Sequence, residues 1–230
     1  MPTEPPTRRP TDASLLGDDD FEPPRELLNL PWADVHNHAQ TLSWGDRERY
    51  TLSGCRAMVM VASGYHWTPY RPVRAEDVRF LWDDAVNRRR AIEREHFFEA
   101  ALALGLHTGV AVENPDDLFD AMGGYCELDA VVAVGETGIT PTQHGRRWGL
   151  DEQRVAVRTQ MELAAAHDLP AILHTPNRSS ESGPSYRDGV GVPGYEKHTS
   201  LSTDPVLNGD DPALEAVKID VELAAEAGLP

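Results

Sequence analysis

Three short stretches place histidines and a carboxylate where they could hold a divalent cation. They are "DVHNH" (34–38), "VGETGI" (134–139) and "AILHT" (171–175). In a strand, side chains two residues apart share a face, so His36 and His38 project together. Two neutral imidazoles so placed can bind one divalent ion, and Asp34, one pleat earlier, could orient a ligand. Glu136 closes an apolar run, where a carboxylate is costly unless it is paired or bound to a metal. From a neighbouring strand end it could bridge two cations about 3.5–4 Å apart, the arrangement of many hydrolytic centres. His174 follows three apolar residues and reads as a ligand to the second ion. Plainer readings stand beside these: solvated histidines at a strand end, a Glu136 paired with Arg146, Arg147 or Arg178, and a packed His174.

For these residues to meet, each stretch must end a strand of one sheet. Short apolar runs recur at "WADVHNHA", "CRAMVMVAS" (55–63), "LHTGVAVE" (106–113), "AVVAVGETGI" (130–139) and "AILHT". Longer helical patterns separate them. One is expected over residues 75–105, with Gly105 as its C-cap, and another begins at Asp151 as N-cap. Near-continuous apolar strands alternating with helices predict an α/β fold with a parallel sheet. All the chemistry-bearing residues sit at C-terminal strand ends, as in βα-barrels. A doubly wound nucleotide-binding sheet would need a glycine-rich turn after its first strand, and there is none.

Composition narrows the function classes. The 230 residues carry 21 Lys+Arg against 38 Asp+Glu, a formal charge of −17, which at low salt repels long polyanions. The two cysteines form no CxxC pair and suggest neither a disulfide framework nor a thiolate zinc site. No signal peptide or membrane-length apolar run is seen, so a soluble cytoplasmic protein with no membrane partner is expected. Residues 1–30, rich in Pro, Asp and Thr, are expected to be a disordered tail, with residues 31–230 the folded part. Within that part, 179–211 is dense in Gly, Ser, Pro and Asp and reads as a polar insertion.

D-x-H-x-H on the first strand, G-E-x-G on a middle strand and the histidine of "AILHTPNR" resemble the TatD-type metal-dependent hydrolases of the amidohydrolase superfamily. The stretch "VASGYHWTPYRP" looks closest to the archaeal-type branch. The resemblance runs from about Trp32 to Arg178. It implies the (β/α)8 TIM-barrel fold, two divalent ions (Mg, Mn or Zn) and hydrolysis of an ester or phosphodiester, DNA included. It implies that His36 and His38 hold one ion, Glu136 bridges and is catalytic, and His174 holds the second. The family motif continues to an aspartate where this chain has Thr140. The family's remaining histidine and aspartate ligands belong to later strands. "DPALEAVKIDVELAAEAGLP" (211–230) is a helix with the Leu-Pro exit that also precedes "AILHT", so an incomplete barrel of about five strands is expected. Its open edges would favour self-association, and the chain alone is expected to be short of ligands.

Weaker assignments complete the picture. His66 after the second strand and Arg178 after the fifth are candidate substrate-binding residues. His144, Arg146 and Arg147 could meet an anionic substrate or form a solvated turn. His198 is expected in a loop, and His96 and His107 are expected to be structural. Three functions remain open: a TatD-type hydrolase of small-molecule or nucleic-acid phosphoesters, a small-molecule amidohydrolase acting on an ester, lactone or amide, and a non-catalytic fragment.

Overall fold

The computed structural model describes residues 30–63, 72–140, 142–144, 148–174, 199–201, 206–207 and 211–229. Its centre is a parallel sheet of five strands: β1 (Trp32–Asn37), β2 (Cys55–Ala62), β3 (Glu99–Leu104), β4 (Val131–Thr137) and β6 (Ala171–Leu173). They lie side by side in chain order, without the reversal that marks a doubly wound sheet. A short antiparallel pair, β5 (Thr142–His144) and β7 (Thr199–Leu201), stands apart. The helices are α1 (Trp44–Leu52), α2 (Ala75–Glu95), α3 (Pro115–Cys126), α4 (Leu150–Ala166) and α5 (Pro212–Glu226).

The alternation of side chains along the strands explains why all helices gather on one face. Met58, Met60, Leu102 and Leu104 point to that face and pack with Val78 and Trp82 of α2 and Leu118 and Met122 of α3. A second cluster joins Val157 and Met161 of α4 to Ile219 and Leu223 of α5. Among the described residues, the opposite face carries a small layer of strand residues: Val61, Ala103 and Ala133, with Val59 and Ile172 against them. One helical layer outside and small or branched residues inside make a curled half-barrel, the expected fold class. Among the described residues, no helix is long and apolar enough to cross a membrane.

The third strand differs from the sequence-based expectation. The helix expected over 75–105 stops at Glu95, and β3 is formed by "EAALAL" rather than by "LHTGVAVE". Ala and Leu favour helices in isolation. Here, residues 99–104 pair in register with β2 from Ala57 to Ala62, and that burial overrides the preference. Gly105 is therefore not a C-cap. A Cβ there would lie 2.6 Å from the Cα of Gly135, so glycine permits the exits of β3 and β4 to touch. Trp82 ties the same region to α2, its indole N–H donating to the carbonyls of Ala62 (3.0 Å) and Gly105 (3.2 Å). Helix α3, opened by Pro115 at its first position, was not anticipated, because Gly123 and Gly124 interrupt its pattern.

The disordered-tail assignment falls on residues outside those described. So does most of the insertion at 179–211, although β7 lies within it.

Candidate functional site

Five side chains converge at the C-terminal ends of the strands. His36 lies one residue before the end of β1, and His38 caps the 3-10 turn that follows. His107 lies just past β3, Glu136 sits near the end of β4, and His174 follows β6. Two donor groups result, His36–His38–Glu136 and His107–Glu136–His174. Within each, one ligand atom per residue lies within 4.8 Å of the others. Glu136 belongs to both.

Local sequence explains the convergence. Asp34 accepts from the His36 N–H (3.1 Å) and from the Asn37 side-chain amide (2.7 Å), which also reaches the Tyr50 hydroxyl (2.8 Å). Asp34 thus sets the backbone of "DVHNH" and does not orient an imidazole. Gly135, at φ +143°, occupies a conformation that side chains disfavour, and a Cβ there would sit 2.5 Å from the Ile172 carbonyl. This absence of bulk lets β4 and β6 close up, and the His174 N–H donates to the Thr137 carbonyl at 2.7 Å. The carboxylate of Glu136 then meets His174 Nδ1 at 2.5 Å and His36 Nε2 at 3.7 Å.

The electrostatics suit cation ligation. Burial works to raise the pKa of Glu136. The His174 hydrogen bond and the charges of His174, His36 and His38 together outweigh it and hold the carboxyl below its ordinary value. Burial dominates at His38 and lowers its value, against the Val61 carbonyl and the nearby carboxylates, so its ring is neutral near pH 7. His38 Nδ1 donates to the Val61 carbonyl at 3.1 Å, which turns Nε2 toward the cluster, as metal-binding histidines are commonly oriented. Neutral imidazole beside ionised carboxylate is a donor set that suits divalent transition metals.

His107 is the residue that sequence reasoning missed. It is wholly buried, and its ring lies edge-on to that of His174, centroids 4.1 Å apart. Its Nδ1 accepts from the Gly109 N–H at 2.8 Å, so in the neutral ring Nε2 carries the proton. The signal was its position two residues after Gly105 and just past a buried run, obscured by the misplaced third strand. His96 is structural: it stacks on Phe98 and lies 3.4 Å from a Glu48 oxygen. His66, Arg178, Arg146, Arg147 and His198 lie outside the described residues, and His144 is described only as part of β5. Thr140, in place of the family aspartate, is buried, with its N–H on the Gln153 side chain at 2.9 Å.

Comparison with known proteins gives the family. The sequence matches the family described as TatD related DNase over residues 33–187. An uncharacterized metal-dependent hydrolase of Methanocaldococcus jannaschii is 26% identical over 148 residues, 64% of this chain and 55% of that protein. The chain thus spans about half the length of this curated relative. The crystal structure of a TatD-like protein from Archaeoglobus fulgidus superposes with a TM-score of 0.58 at 18% identity, covering 86% of this chain and 65% of that one. The shared fold and the match over most of the described sheet place this chain in the TatD family.

Proposed function

We propose that the protein contributes the site of a divalent-metal-dependent hydrolase acting on phosphoesters. The observation that carries this is Glu136, one buried, ionised carboxylate between the His36–His38 pair and His174 at the strand ends. His36, His38 and Glu136 would hold one ion, and Glu136 with His174 a second; imidazole nitrogen suits Zn, and the carboxylate suits Mg and Mn. A divalent ion there supplies Lewis acidity and lowers the pKa of water toward neutrality. The chain's own residues prepare for this. Val61 fixes the His38 ring, and burial keeps it uncharged. His107 presents a buried Nε2–H that can stabilise charge developing on a substrate oxygen.

The family's name points to DNA, while the charge of −17 favours a short substrate over a long polyanion. That charge equally favours a second reading, hydrolysis of a small ester, lactone or amide by the same residues.

The test is Mn²⁺-dependent turnover by wild type and Glu136→Gln on a DNA oligonucleotide, a nitrophenyl phosphodiester and a lactone. The variant should lose about 100-fold or more on whichever substrate is cleaved. Full activity in Glu136→Gln would refute the reading. A chain that neither binds Mn²⁺ nor turns over any of the three would be a non-catalytic module.

A further inference from the structure

The helix layer behind the site is polar where a core would be apolar. Gln160 lies on the inward stripe of α4 with Ala156, Val157, Met161 and Ala164, and it is wholly buried. An amide in that position is costly unless its hydrogen bonds are made, and here they are. Its Oε1 accepts from the Leu106 N–H at 2.7 Å. Its Nε2 shares two protons among the Leu106 carbonyl (3.1 Å), the Thr137 hydroxyl (2.7 Å) and the Ala156 carbonyl of its own helix (3.1 Å).

The placement of these partners is the point. Leu106 immediately precedes His107, and Thr137 immediately follows Glu136. Gln160 binds both polar groups of Leu106, which fixes the direction in which the chain leaves β3. The same amide holds the side chain next to Glu136 on β4. A methionine would fill the same volume without joining the two exits.

We propose that Gln160 is a positioning residue that sets the spacing between His107 and the Glu136–His174 pair. Its role in catalysis rests on the hydrolase reading above. Its role in positioning is measurable without any metal.

The test uses the full chain and two near-isosteric variants, Gln160→Met and Thr137→Val. In metal-free protein, the ring NMR signals of His107 and His174 should shift in Gln160→Met, while those of His36 and His38 stay in place. In Thr137→Val, which keeps both bonds to Leu106, the His174 signal should move more than that of His107. Titration with Mn²⁺ alone should give an affinity about 10–100-fold weaker in Gln160→Met, the usual cost of losing a residue that orients ligands. Unmoved His107 and His174 signals in a folded Gln160→Met would make the glutamine a core filler and overturn the proposal, whatever happens to the melting temperature. If Gln160→Met does not fold, the decision passes to Thr137→Val, where an unmoved His174 signal overturns it. Absence of Mn²⁺ binding by wild type would sink the hydrolase reading and leave the ring-signal test standing.

Discussion

Asp220 is the buried group whose removal should be easiest to read. It sits on the inward face of α5, wholly buried, and its Oδ1 accepts from the Ile139 N–H at 2.8 Å. Its Oδ2 has no hydrogen-bond partner among the described residues. Burial pushes its carboxyl from 3.8 up to about 7. Because the folded-state value is the higher one, the folded chain retains a proton that the unfolded chain releases. Stability therefore falls as pH rises from about 4 to about 7 and is level beyond. At about 1.36 kcal/mol per pH unit, the full penalty is about 4 kcal/mol. Asp220→Asn keeps an oxygen for Ile139 and cannot ionise. Its new amide donor carries a pH-independent cost of about 1–3 kcal/mol, which cancels when one compares the variant with wild type across pH. The stability difference should move in the variant's favour by about 3 kcal/mol between pH 5 and pH 8. Urea unfolding at pH 5, 6, 7 and 8 measures it, and a difference that stays flat within about 1 kcal/mol would refute the reasoning.

Two further substitutions probe how the strand exits are brought together. Gly135→Ala drives a Cβ to 2.5 Å from the Ile172 carbonyl at φ +143°, so it should separate β4 from β6 and lower Mn²⁺ affinity more than tenfold; a variant that binds Mn²⁺ as wild type does would show that the close approach is dispensable. Trp82→Phe removes the donor shared by the Ala62 and Gly105 carbonyls and leaves a small void, a loss of about 2–4 kcal/mol in urea unfolding.

What the sequence revealed depended on how far each signal was local. The alternation of apolar runs and helical stripes was enough for a barrel-type parallel sheet, because a strand buried on both faces has to be apolar almost throughout. His36, His38, Glu136 and His174 were visible as polar interruptions at the ends of such runs, and the fold brings those four to one end of the sheet. His107 was hidden because "EAALAL" has the composition of a helix, and only its register against β2 makes it a strand. Once the strand was misplaced, its exit histidine looked like packing. Gln160 and Asp220 were legible only as polar residues in helices, since the groups they serve lie 54 and 81 residues away.

The order β1-β2-β3-β4-β6 has a consequence for synthesis on the ribosome. Within this sheet each new strand pairs with the sheet strand made before it, so the sheet can grow by addition at a single advancing edge as the chain emerges. At about 5–20 residues per second, the interval between Glu136 and His174, 38 residues apart, lasts about 2–8 s. Neither donor group exists before β4 docks, and the second waits for β6. The histidines at the exits of β1 and β3 are therefore made first, and the carboxylate arrives in a sheet already holding three strands.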